Sequence, residues 1–181
     1  IKKNANNFIL NQIIGLAYYS IKNLDLSIEY LKKASEINPS DMVCKNNLAN
    51  SYKSSGNIEE AEKIYKEILD KFPNNPIILS NLALIKKNIS DFSSAVDLYK
   101  KSIKYIDSEE NKTRALLNIA NNYTNLGEFS EAKEIFTNII KKNPNNVRAH
   151  IELNKLIDYK KDNIHLSLLV DLLNKENLEK L

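Results

Sequence analysis

Pro39 and Pro73 lie 34 residues apart, and a whole set of positions keeps the same step. Gly15 pairs with Ala49, Tyr18 with Tyr52, and Leu31 with Tyr65. Ala83, Ala95 and Tyr99 carry the pattern into a third unit. Ala120, Tyr123, Gly127, Ala132, Phe136 and Pro144 carry it into a fourth. A period of this length marks a repeat array, in which each unit is too small to bury its own apolar face and stacks on its neighbours to do so. An irregular helical bundle has no reason to hold a fixed step.

Each unit reads as two antiparallel helices. Small residues at Gly15, Ala49, Ala83 and Ala120 on the first helix, and at Ala61, Ala95 and Ala132 on the second, let the pair approach closely. Tyr18, Tyr52 and Tyr123 fill the space between them. Gly56 and Gly127 stand where the first helix ends, a place that favours left-handed backbone. Pro39, Pro73 and Pro144 stop the second helix. These residues at this spacing resemble the tetratricopeptide-repeat family. The resemblance implies an all-α fold, a right-handed α-solenoid (superhelix) of antiparallel helix pairs whose first helices line a concave groove.

The units are read as 8–41, 42–75, 76–112 with a short insertion, 113–146, and a degenerate fifth repeat or cap at 147–181. In the third, Lys86 replaces the expected Tyr and Asp107 the closing Pro. Ala120 follows Ala83 by 37 residues, and Ser108-Glu109-Glu110 suits the start of a longer first helix. In the fifth, Asn154 replaces the small residue, and a second helix is expected over roughly 164–174. Residues 1–7 match 140–146 except for Ala5 in place of Pro144, so they read as the tail of a preceding repeat. Arg148-Ala149-His150, Leu153, Leu156, Tyr159 and the run from His165 to Leu173 resemble the repeat-to-sulfotransferase junction of bacterial proteins. That resemblance implies a catalytic domain beyond Leu181 and none within the chain.

The remaining residues argue against chemistry. Three glycines cannot build a phosphate-binding loop. The lone Cys44 forms no internal disulfide or multi-cysteine zinc site and reads as a small filler. His150 and His165 are too far apart for a paired helical metal motif. His150 is expected to pack or face solvent, and His165 to mark the start of the last helix. Glu59-Glu60 and Glu109-Glu110 are neighbours that diverge by about 100° on a helix, so they form no acid/base pair. No catalytic residue, cofactor or metal is expected. A net charge of +3 is too weak a basic excess for nucleic acid. No apolar run approaches the ~20 residues that span a bilayer. The expected compartment is the cytoplasm.

Function is expected in the groove. Helical arithmetic places Ile9, Leu16, Tyr19, Val43, Ile77, Leu84, Leu117 and Tyr159 there, with a polar set of Asn46, Asn47, Asn50, Lys53, Asn81, Lys87, Arg114, Asn118, Asn121 and Arg148. Asn47, Asn81 and Asn118 share one column of successive units, and Asn50 and Asn121 share another. A primary amide both donates and accepts, as a peptide group does, so such a column can hold an extended chain with little regard for its side chains. It resembles the asparagine ladder in the repeats of the O-linked N-acetylglucosamine transferases. The basic residues favour an acidic peptide, although Lys53 and Arg114 do not reproduce the family's carboxylate clamp. The chain is therefore read as a protein-binding scaffold for an extended peptide or partner domain, with weak self-association through the solenoid ends. The alternative is the non-catalytic repeat region of a larger transferase, linked to a sulfotransferase or glycosyltransferase domain.

Overall fold

The computed structural model describes residues 2–178. Among them are helices α1 (Lys2–Ser20), α2 (Leu24–Ile37), α3 (Met42–Ser54), α4 (Ile58–Lys71), α5 (Pro76–Asn88), α6 (Phe92–Ile103), α7 (Glu109–Leu126), α8 (Phe129–Lys142), α9 (Val147–Asn154) and α10 (Ile164–Leu178), and no strand. The chain divides into two compact units, Ile1–Ile106 and Asp107–Leu181. In the first, α1 packs on α2, α3 on α4 and α5 on α6, while α2 also meets α3 and α4 meets α5. In the second, α7 packs on α8 and α8 on α9.

Local sequence sets the boundaries. Asn23, Asp41, Asn75, Asp91, Ser108 and Asn146 each accept a backbone N–H from the first turn of the helix that follows. Such a cap contributes about 1 kcal/mol. Second helices α2, α4 and α8 end on Asn38, Phe72 and Asn143, each followed by a proline that disfavours helical backbone before it. After the first helix of four hairpins the backbone turns left-handed in one column, at Lys22 (φ 63°), Gly56 (84°), Ser90 (62°) and Gly127 (81°). The turn demands this conformation even where the residue is not glycine.

Residues 2–7 enter α1 without a break, and Ile1 lies outside the described residues. Pro144, which follows the end of α8, is replaced here by Ala5, the best helix former.

The small columns are fully buried at Ala49, Ala61, Ala83, Ala95, Ala120 and Ala132. At Gly15 an added Cβ would lie 2.6 Å from Leu31 Cγ, so α1 and α2 pack where only hydrogen fits. Tyr65, Ile68, Ile78, Leu82 and Ile85 form a core in the first unit. Phe136, Ile139, Ile140, Ala149 and Leu153 form one in the second. Leu117, expected in the groove, belongs to that second core and is buried. Cys44 is wholly buried with Sγ 3.7 Å from Leu31 O; burial, then Asp41, pushes its thiol up to about 11. It is a filler, not a nucleophile.

Lys86 has a specific role in place of the expected tyrosine. Its ammonium reaches across from α5 to Glu62 of α4 at 2.8 Å, and both side chains are mostly buried. Glu62 is also 2.7 Å from Lys66. Hydrogen bonds from Lys66 and Lys86 hold its carboxyl below the usual range.

Candidate functional site

The first helices carry every polar residue expected of the groove. In the first unit Asn46, Asn47, Asn50 and Lys53 lie on α3, and Asn81 and Lys87 on α5. In the second, Arg114, Asn118 and Asn121 lie on α7, and Arg148 on α9. Helical spacing explains the grouping on α3, because residues three and four apart share a face.

Some of these groups are spent on the scaffold. Asn81 Nδ2 donates to Asn46 Oδ1 at 2.9 Å and ties α5 to α3. Asn50 Oδ1 accepts from Tyr65 Oη at 2.7 Å and from Lys53 Nζ at 3.0 Å. Burial pushes the Tyr65 phenol up, so it stays protonated and donates. Arg114 is turned along α7 toward Asn111, with Glu110 at 4.0 Å.

Others keep their polar capacity. Asn47, Asn118 and Asn121 are half-buried, and their amides make no hydrogen bond among the described residues. The ammonium groups of Lys45 and Lys86 meet Glu67 and Glu62, but no carboxylate among the described residues pairs with Lys53. Burial lowers the Lys53 pKa, the signature of a cation short of solvation. Lys87 and the exposed Arg148 are likewise unpaired among the described residues. Ile9, Leu16, Val43 and Ile77 are exposed on the first helices of the first unit. Tyr19 instead joins Ser54 of α3 at 3.0 Å.

Two residues that the sequence kept apart come together. His150 Nδ1 lies 2.8 Å from His165 Nε2, and Tyr159 Oη lies 2.6 Å from His165 Nδ1. Tyr159, expected in the groove, is thus held by this cluster and by Asn154 Oδ1 at 2.8 Å. Sequence spacing carried no signal for it, since the contact depends on how residues 155–163 return the chain to α10. No group of three or more His, Cys, Asp or Glu among the described residues is placed to hold a metal ion. Among them, too, no helix is long and apolar enough to cross a membrane.

Two family models, both described as tetratricopeptide repeat, match residues 22–85 and 114–146, together more than half of the chain. The chain belongs to the tetratricopeptide-repeat family. Among solved structures, pilF of Pseudomonas aeruginosa superposes with a TM-score of 0.77 at 18% identity, over 96% of this chain and 78% of that one. MamA superposes with 0.72 at 18% identity, over 92% of this chain and 96% of that one. These likenesses speak to fold, which is the all-α solenoid of the family. Among curated relatives, the human protein O-mannosyl-transferase TMTC3 is 29% identical over 118 residues, 57% of this chain and 13% of that protein. The CTR9 homolog of Arabidopsis thaliana is 28% identical over 127 residues, 68% of this chain and 11% of that protein. The chain thus spans about an eighth of the length of these relatives. Tetratricopeptide arrays are in general non-catalytic scaffolds for protein interaction, and the chain is a scaffold of this kind.

Proposed function

We propose that the chain holds an extended, acidic peptide on the exposed face of its first helices. The observation that carries this reading is the state of two residues of α3, Asn47 and Lys53. Among the described residues, one is a half-buried amide whose side chain makes no hydrogen bond, and the other a half-buried cation that meets Asn50 but no carboxylate. A half-buried amide without a partner and a half-buried cation without a counter-charge are costly unless water or a ligand meets them. A peptide backbone satisfies the amide, and an Asp, a Glu or a terminal carboxylate satisfies the cation. Exposed Val43 on α3 and Ile77 on α5 offer apolar contact to a peptide's side chains. Asn118 and Asn121 offer the same amide chemistry on α7.

Selection of peptides from a randomised display library tests this. Enrichment in Asp and Glu is expected, and Lys53→Met removes that enrichment. Asn47→Ala weakens all selected peptides alike, by about fivefold for a lost hydrogen bond of about 1 kcal/mol. Equal recovery by the Asn47, Asn81 and Asn118 triple alanine variant, with helicity retained, refutes the ladder.

The match to a protein O-mannosyl-transferase favours a second reading, in which the array is the non-catalytic part of a larger transferase and presents its acceptor. The reading frame beyond Leu181 tests it: a transferase domain supports it, and further repeats followed by a stop codon refute it.

A further inference from the structure

The Asn50 amide has a used edge and an unused one. Lys53 Nζ can only donate, so the amide atom it meets at 3.0 Å is the oxygen. Tyr65 Oη of α4 donates to the same oxygen at 2.7 Å. Tyr65 is wholly buried, and its hydroxyl has no other partner among the described residues. Turning the amide over would set its N–H groups against the Lys53 ammonium and leave the phenol proton without an acceptor. The amide is therefore fixed, with Nδ2 directed away from both partners. That nitrogen makes no hydrogen bond among the described residues and is not sealed from solvent.

The same column is built differently in α7. Asn121 shares the column of Asn50, but 15 residues on it meets Phe136 where Asn50 has Tyr65. Phe136 is wholly buried and carries no hydroxyl. Asn121 is free to present either edge of its amide to a ligand, whereas Asn50 presents only donors.

We propose that Asn50 Nδ2 and Lys53 Nζ form a donor-only seat for one carboxylate of a bound peptide, and that Tyr65 is the positioning residue that keeps the amide turned toward it. This deepens the acidic-peptide reading and rests on it. The two side chains stand three residues apart on one face of α3. Together they offer one positive charge and N–H groups that no carboxylate among the described residues takes up. A carboxylate has only acceptors and matches this seat, while the side chain of Gln or Asn brings no charge and N–H groups of its own. When the ammonium turns to the ligand, the Tyr65 bond alone holds the amide, so the phenol and not the lysine sets its direction.

The probe is a fluorescent acidic peptide recovered from the display library, together with a twin in which Gln and Asn replace Glu and Asp. Anisotropy titrations compare the two on the full chain and its variants. The unchanged chain is expected to prefer the acidic peptide by about tenfold. Tyr65→Phe is expected to cut this preference about threefold and leave the twin's affinity unchanged, and Asn50→Leu to cut it about fivefold. Where circular dichroism shows that Tyr65→Phe has lost helix, Asn50→Leu decides. A preference that survives both changes but is lost in Lys53→Met overturns the seat and leaves the acidic-peptide reading standing. A library that yields no acidic peptide, or an unchanged chain that binds both peptides equally, overturns both.

Discussion

His150 Nδ1 and His165 Nε2 face each other at 2.8 Å, and each ring is held at its other nitrogen as well. His150 Nε2 lies 2.8 Å from Pro144 O, which only accepts. Neutral His150 therefore donates from Nε2 and accepts at Nδ1 from His165 Nε2, which leaves neutral His165 without a proton on Nδ1; the single Tyr159 phenol proton faces two acceptors, His165 Nδ1 at 2.6 Å and Asn154 Oδ1 at 2.8 Å. The line of rings ties the loop before α9 to the start of α10.

Acid should weaken this end of the array. Burial and the neighbouring His150 hold the His165 imidazole below its ordinary value, against a smaller opposing pull from Asp162. In the unfolded chain the group titrates near ~6.5. The folded state then takes up less proton than the unfolded one, so stability is intact above that value and falls as pH drops through it. Thermal melts followed by circular dichroism should show a decline toward about pH 5.5 that is shallower in His165→Phe. Hydrogen exchange should place the loss in α9 and α10. Equal pH slopes for the two proteins would assign the decline to other groups.

The left-handed column gives a prediction of opposite sign. Ser90 adopts φ 62° in the turn where Gly56 and Gly127 serve elsewhere. A side chain costs roughly 1–2 kcal/mol in that conformation, while glycine adds entropy to the unfolded chain. Ser90→Gly should therefore stabilise the protein by about 0.5–1 kcal/mol in urea unfolding, and Gly127→Ala should destabilise it by about 1 kcal/mol. A loss of stability in Ser90→Gly would mean that the serine side chain contributes more than the strain it bears.

The repeat, the caps and the small columns were legible because each rests on one residue at a fixed step. Asp41 caps α3 and Ala49 packs against α4 for reasons local to their own hairpin. The face of the first helices was legible as a column but not as a chemistry. Asn46 and Asn47 are adjacent in sequence, yet one is bound to Asn81, 35 residues on, and the other is unbound among the described residues. Such a difference depends on which side chain the next hairpin brings over, and a single column does not contain it. Buried pairs such as Ser27 with Ser51, 2.9 Å apart, were hidden for the same reason.

Lys86 is the clearest case, and it can be tested by a double-mutant cycle. Its bond to Glu62 is shielded from solvent, unlike the exposed pair of Lys33 with Glu29. Lys86→Met leaves Glu62 with Lys66 alone and should cost about 1–2 kcal/mol. Glu62→Gln combined with Lys86→Met should lose less than the sum of the single changes, with a coupling of about 1 kcal/mol. The lysines hold the Glu62 carboxyl below its unfolded value, so this stabilisation is present above about pH 4.3 and is lost as pH falls through the folded value. Urea unfolding of the four proteins at neutral pH should therefore show the coupling, and the same cycle in acid should show it vanish. If the neutral cycle shows no coupling, the lysine contributes through the packing of its methylene stem against α4, and the ion pair is incidental.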